Sequence, residues 1–153
     1  MQEIDAQIKR INALFDRAQD LSSDPELLSH WAKYLCVLVC GLLENSVELC
    51  LVDYFQKRGD ENINNFVSTK LRSFQNPKMG KIVELFGSFS KTWEEDLKER
   101  SDGRISDAVN SVVANRHLIA HGGTSQLSMS ALRGYYTDVV RAVEIMRRIS
   151  GGR

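Results

Sequence analysis

A long segment without strong helix breakers, from Pro25 to Gly59, is the feature that most constrains the fold: it has one internal glycine and no further proline. Asp24 before Pro25 predicts a helix start, with the aspartate as N-cap and the proline at the first helical position. Gly59 predicts the end of this helix, after Lys57, because glycine readily takes the left-handed conformation that closes many helices. Residues 35–52 are apolar nearly all round. Such a helix belongs at the centre of a bundle.

Elsewhere, apolar residues recur at spacings of three and four, which is typical of amphipathic helices. Asn76 before Pro77 repeats the arrangement of a cap followed by proline and predicts a second helix start at Pro77. No run of alternating polar and apolar residues predicts a strand. The predicted fold class is all-α: an antiparallel helical bundle with a long central helix and a small helical insertion at about 60–100. The other helices are predicted at about 2–21, 61–74, 77–86, 91–99, 105–121 and 129–149.

Length and composition fit one globular domain. The 153 residues are 42% hydrophobic and 26% charged, which is enough for a single core. We therefore expect one domain at 1–150 and a flexible tail at 151–153. Lys plus Arg and Asp plus Glu each number 20, so the formal net charge is zero. Because broad nucleic-acid binders usually carry a basic excess, any nucleic acid must meet a local basic patch.

The cysteines and the apolar segments indicate the compartment. Cys36, Cys40 and Cys50 lie in one apolar stretch and form no Cys-x-x-Cys pair, which predicts buried, reduced thiols in a cytoplasmic protein. The longest apolar stretch, at 34–43, is shorter than the about 20 residues that a membrane span needs. The chain also shows no secretory signal peptide. We expect a soluble, cytoplasmic protein without a membrane partner.

Most of the chemical information lies at 115–122, where the helix 105–121 is predicted to end. This segment contains Arg116 and two of the three histidines, His117 and His121. The dipole at a helix C-terminus favours an imidazolium, and a guanidinium is a planar fork that suits phosphate. Together Arg116 and His121 can bind a phosphodiester and move a proton near neutral pH. The alternative is an exposed polar helix end without a chemical role.

Helix geometry separates the two residues. Five positions correspond to about 140° of rotation and about 7.5 Å of rise, so Arg116 and His121 do not share a face. Either the arginine wraps along the helix end or a second subunit completes the pocket. His117 and His121, four positions apart, do share a face, which raises a zinc site as an alternative. Leu118 stands where a zinc hydrolase helix carries its glutamate, and no third ligand follows at a recognisable spacing, so we predict neither metal nor other cofactor.

The sequence RHLIAHG at 116–122 resembles the R-x4-6-H motif of the HEPN superfamily. Within it, the chain is similar to the RiboL-PSP-HEPN branch and to HEPN nucleases of bacterial defence loci. The context agrees: the penultimate helix ends in the motif, glycines interrupt it, and an amphipathic last helix with GYY at 134–136 follows. The central helix, with GLLEN at 41–45, also fits.

The resemblance implies a homodimer in which two motifs face each other across a cleft and cleave RNA without metal. His121 would be the general acid/base for attack of the ribose 2′-OH, leaving a 2′,3′-cyclic phosphate and a 5′-OH. Arg116 would hold the phosphate and stabilise its charge. His117 would support the site by orienting it. Glu44 is the second supporting candidate, since a carboxylate among apolar neighbours needs a partner; the alternative is a solvent-facing glutamate.

Three functions remain open at this stage. The first is an endoribonuclease of bacterial defence, toxin–antitoxin or stress systems, with a regulatory protein partner that restrains it. The second is an inactive HEPN module that binds RNA or a protein. The third is an unrelated helical structural protein. For the dimer, we expect an interface that involves the helix 105–121 and Val139, Val143 and Met146 of the last helix, with Tyr135 and Tyr136 in core or dimer packing.

Overall fold

The chain forms a bundle of α-helices in the computed structural model, which describes residues 1–21 and 23–151. The predicted tail therefore lies outside the described residues, except for Gly151, which ends the last helix. The described ranges contain no strand, and the all-α prediction is confirmed. The helices are α1 (Gln2–Gln19), α2 (Pro25–Arg58), α3 (Glu61–Leu71), α4 (Met79–Phe89), α5 (Lys91–Arg100), α6 (Arg104–Ala120) and α7 (Met129–Gly151).

The long helix α2 begins where it was predicted. The Asp24 carboxylate accepts a hydrogen bond from the backbone N–H of Leu27 at 3.1 Å, and Pro25 occupies the first turn. The predicted end is also confirmed, within one residue, but the reason for it was wrong. Gly59 is extended, with φ −97°, rather than left-handed. Glycine fits there because a Cβ atom would lie 3.0 Å from the Phe55 carbonyl oxygen.

Helix α2 is the centre of the bundle and packs against α1, α3, α6 and α7. An 18-residue window of it has a mean hydropathy of 2.0 and few charges, which by length and composition alone would suit a membrane span. The expectation that no segment reaches this length was therefore wrong, since small and weakly polar residues extend the apolar stretch. The other helices bury 56% of that window, so a core position accounts for its composition.

All three cysteines are free and lie inside this core, as predicted. The Cys36 thiol donates to the Val112 carbonyl oxygen of α6 at 3.6 Å. Burial raises the pKa of Cys36 and of Cys50 to about 11 and that of Cys40 to about 12. The three groups are therefore neutral thiols near pH 7.

The insertion formed by α3, α4 and α5 is present, but the predicted helix start at Pro77 is wrong. Helix α4 begins at Met79, whose backbone N–H donates to the Asn110 side-chain oxygen of α6 at 2.8 Å. Asn76 does not cap a helix: it has φ +50°, and its backbone N–H donates to the Glu44 carboxylate at 2.8 Å. Side chains from two distant helices thus determine where α4 begins.

Smaller differences concern the ends of helices. Helix α3 ends at Leu71 rather than near 74, and α4 extends to Phe89 rather than 86. Helix α1 ends at Gln19, two residues before the predicted end at 21. The fold is unaffected, because the buried faces of these helices remain those that the apolar spacing indicated.

The three α7 residues predicted for a dimer interface are core residues. Val139, Val143 and Met146 are each 0% exposed, because α2, α5 and α6 cover the apolar face of α7. Tyr136 is also a core residue: its ring stacks on Phe15 with centroids 5.0 Å apart, and its hydroxyl donates to the Asn12 side-chain oxygen at 2.8 Å. The apolar face of α7 belongs to the core of one chain.

Candidate functional site at the end of helix α6

The last turn of α6 holds the candidate residues. His121 is the C-terminal cap of the helix, and its backbone N–H donates to the His117 carbonyl oxygen at 3.1 Å. Both histidines are exposed, as is Leu118 between them at 44%. Arg116 is half-buried. The imidazoles therefore face solvent, whereas the bundle partly covers the Arg116 side chain.

Two glycines end α6 directly after His121. Gly122 has φ +70°, and its N–H donates to the Ile119 carbonyl oxygen at 3.3 Å. The N–H of Gly123 donates to the Leu118 carbonyl oxygen at 2.8 Å. This pair of bonds is the Schellman motif, in which a left-handed residue follows the cap. The Gly-Gly pair therefore determines where His121 stands relative to the helix axis.

We expect Gly122→Ala to lower the free energy of unfolding by about 1–2 kcal/mol, because a Cβ atom is strained in the left-handed region. Urea unfolding followed by circular dichroism measures this change. Gly134→Ala is the matched control: Gly134 is exposed within α7, and a Cβ atom there meets nothing within 4 Å. The control should be neutral or more stable, since alanine is the better helix former. Equal losses in both variants would contradict the role of the left-handed turn.

The structure brings His117 and His121 together. Their ring centroids lie 4.3 Å apart, with the ring planes tilted by 55°. This agrees with the expected shared face of residues four positions apart. Within residues 1–21 and 23–151, no group of three or more His, Cys, Asp or Glu side chains is arranged to hold a metal ion. The histidines thus form an exposed pair.

Arg116 and His121 differ in exposure, since Arg116 is half-buried and His121 is exposed. In the described part of the chain, no hydrogen bond or ion pair joins Arg116 to His121 or to a carboxylate. The Arg116 charge instead acts on a group in the core. Burial and then Glu44 raise the pKa of the Cys40 thiol, while the Arg116 guanidinium lowers it. Arg116 therefore lies within electrostatic range of Cys40 on α2.

Glu44 has the partner that its apolar surroundings require. It is half-buried on α2, and its carboxylate accepts the Asn76 backbone N–H described above. That bond holds the connection between α3 and α4 against the central helix. Glu44 and Arg116 both act on the pKa of the Cys40 thiol, so both lie within electrostatic range of it. The bond to Asn76 gives Glu44 a structural role, and a contribution to the site is still a prediction.

Asn115 and Ser125 position the segment after the motif, a role that the sequence did not indicate. The Asn115 side chain donates to the Ser111 carbonyl oxygen at 2.8 Å and accepts from the Ser125 hydroxyl at 2.8 Å. Ser125 is buried. These bonds connect the α6–α7 segment to α6, on the turn that also carries Arg116. No local pattern indicates a contact between an asparagine and a serine ten residues apart.

One chain presents the motif as an open surface. None of five cavities in the described ranges is lined by Arg116, His117 or His121. The largest of the five, about 670 Å³, lies between α4, α5 and the start of α6 and has acidic walls. The two histidines therefore lie on an exposed surface outside these five cavities.

A comparison with known protein families matches nearly the whole chain. The family model described as RiboL-PSP-HEPN matches residues 2–150, from the first residue of α1 to near the end of α7. The chain belongs to the RiboL-PSP-HEPN family. The resemblance inferred from the motif is thereby confirmed. Comparisons with curated proteins and with solved structures found no match. In this RiboL-PSP-HEPN domain, the insertion α3–α5 and the motif helix α6 both lie within the matched range.

Proposed function

We propose that this RiboL-PSP-HEPN domain is a metal-independent endoribonuclease that acts as a homodimer. The observation that carries the proposal is the division of the motif at the end of α6. His121 is exposed at the cap, whereas Arg116 is half-buried and, five positions earlier, lies about 140° away around the helix. A two-fold dimer repeats the same patch on both chains, so the Arg116 of one chain can serve the His121 of the other.

The proposed reaction is an internal transesterification followed by release of product. His121 takes the proton from the ribose 2′-OH, the 2′ oxygen bonds to phosphorus, and the bond between phosphorus and the 5′ oxygen breaks. The leaving 5′ oxygen takes the proton back from the His121 imidazolium, which restores the neutral imidazole and gives a 2′,3′-cyclic phosphate and a 5′-OH. The Arg116 guanidinium binds the non-bridging oxygens, where charge accumulates in the transition state.

His117 and Glu44 have supporting roles in this proposal. The His117 ring packs against the His121 ring and limits the orientations open to it. Glu44 acts at a distance, by holding Asn76 of the α3–α4 connection against α2. Neither residue transfers a proton in the proposed reaction.

Exposed apolar side chains indicate a contact surface for the second copy. Leu118 is 44% exposed between the two histidines, and on α2 Tyr34 and Val37 are 51% and 39% exposed. A two-fold contact at Leu118 would bring the two motifs to the same cleft. These residues replace the buried α7 valines in the proposed interface.

The remaining parts of the proposal concern the cell. We place the enzyme in the cytoplasm, in a bacterial defence, toxin–antitoxin or stress system, with a regulatory protein that restrains it and no membrane partner. Because the net charge is zero, any RNA must bind at a local basic patch. An inactive module that binds RNA or a protein is the second candidate, and the zero net charge favours it.

Cleavage of RNA in excess EDTA is the direct test. We expect purified protein to cut a fluorescent single-stranded RNA with chelator present, because the proposed chemistry uses only side chains. The 5′ fragment should carry a cyclic phosphate that phosphatase alone does not remove. Activity that disappears with chelator and returns with zinc or magnesium would reassign His117 and His121 as metal ligands. Absence of cleavage with several RNAs would favour the inactive module.

A further inference from the structure

The exposed histidine pair of α6 has the arrangement of a two-imidazole chelate. His117 and His121 stand four positions apart on one helix face, which is the spacing that zinc-binding helices use. Their ring centroids are 4.3 Å apart, and both side chains are exposed. An ion can therefore reach both rings without any opening of the bundle.

We propose that His117 and His121 bind a divalent ion of the zinc class and that this ion inhibits the site. Binding itself follows from the pair alone, whereas inhibition rests on the proposed nuclease function. An ion on His121 occupies the imidazole lone pair that would accept the 2′-OH proton. The ion is thus a competitor of catalysis at this residue and has no part in the cleavage step.

The geometry of the pair suits such an ion. With Zn–N bonds of about 2.0–2.1 Å and tetrahedral angles, the two coordinating nitrogens stand about 3.3 Å apart. Because the side chains are exposed, rotation about their own bonds is enough to align the nitrogens. Among the described residues, no further His, Cys, Asp or Glu completes a set of three with this pair. Water fills the other positions, so the ion exchanges readily, unlike a structural zinc with four protein ligands.

The local field also favours a cation. The pair lies in the last turn and cap of α6, where the helix dipole presents its negative end. Arg116 is the nearest opposing charge in sequence. It is half-buried, whereas both histidines are exposed, and it lies about 100–140° away from them around the helix. The ion is therefore attracted to the helix end on the face that carries both imidazoles.

Zinc titration of tag-free protein, in competition with a chromophoric chelator, tests binding without using activity. Removing a residue that only hydrogen-bonds to a metal ligand lowers metal affinity about 10- to 100-fold. His117 is proposed as a direct ligand, so His117→Ala should lower zinc affinity at least about tenfold. His30→Ala is the matched control, because His30 is the third histidine and is exposed on α2, next to Glu26 and outside the motif. It should bind zinc as the wild type does. Equal affinity in wild type and His117→Ala would overturn the proposal.

The rate of RNA cleavage, relative to the metal-free rate of each variant, tests inhibition. Zinc should slow the wild type and His30→Ala, EDTA should reverse this, and His117→Ala should be much less sensitive. Faster cleavage with zinc would overturn inhibition. A protein that binds zinc through His117 but cuts no RNA would refute the nuclease proposal alone. A nuclease without the zinc site would refute the present proposal alone.

Discussion

The variant His121→Ala should lose RNA cleavage while keeping its fold. Removing a positioned acid/base lowers the rate by about 10²- to 10⁴-fold. The side chain is exposed at the end of α6, so its loss leaves no cavity in the core. The change in unfolding free energy should therefore stay within about 0.5 kcal/mol, as for other surface substitutions. Single-turnover cleavage and thermal melts of the same preparations measure both quantities.

His30→Ala controls for the loss of an exposed imidazole elsewhere. It should cleave RNA at the wild-type rate, because His30 lies on α2 next to Glu26 and outside the motif. Unchanged cleavage by His121→Ala would mean that the nuclease site lies elsewhere on the bundle. A large loss of stability in His121→Ala would mean that the cap residue supports the fold as well.

Mixing two inactive variants should restore activity. Arg116→Ala and His121→Ala each lack one group in both sites of their homodimers. In a mixed dimer, one site combines the intact Arg116 of one chain with the intact His121 of the other. Random exchange of subunits in a two-fold dimer should then recover about a quarter of wild-type activity.

Arg116→Lys should fail almost as badly as Arg116→Ala in the RNA cleavage assay, because an ammonium keeps the charge but loses the two-pronged grip on phosphate.

The recovery depends on dimers that exchange, so light scattering must first show that both variants are dimeric. Refolding the two variants together provides the exchange, and each variant refolded alone is the control. A dimeric mixture without recovery would mean that Arg116 and His121 of the same chain act together. A monomer at micromolar concentration with full activity would exclude the composite site.

Features set by neighbouring residues were predictable from the sequence. The start of α2 depends on Asp24 and Pro25, which are adjacent in the chain and form the expected cap. The position of α2 at the centre follows from a surface that is apolar nearly all round. The motif, with its histidines on one face and Gly122 after the helix, was also predictable, because helix periodicity and glycine conformation are local properties.

Features set by distant residues were not predictable. Pro77 has the local signature of a helix start, but Asn110, from another helix, caps α4 at Met79. The Glu44 carboxylate holds Asn76 in a left-handed conformation that no neighbouring residue in the chain imposes. A local signature therefore fails to predict a helix start when a side chain from a distant helix accepts the hydrogen bond of a backbone N–H near that start.

The partner of an apolar helix face could not be predicted either. An amphipathic pattern shows that one face of α7 is covered, but the sequence does not say whether its own chain or a second copy covers it. Val143 was assigned to a dimer interface and is a core residue. Likewise, helix geometry separated Arg116 from His121, and only the packed bundle shows that the arginine is half-buried while the histidine is exposed.

The three buried thiols can report how often the helices of the bundle separate. Only a thiolate attacks alkylating reagents, and burial keeps Cys36, Cys40 and Cys50 protonated near neutral pH. A reagent in solution therefore modifies them only during excursions in which helices separate from α2. The labelling rate at each position would measure how often that part of the bundle core becomes accessible, with no engineered probe. Cys36 and Cys40 would report on the α2–α6 seam, and Cys50 on the far half of the central helix.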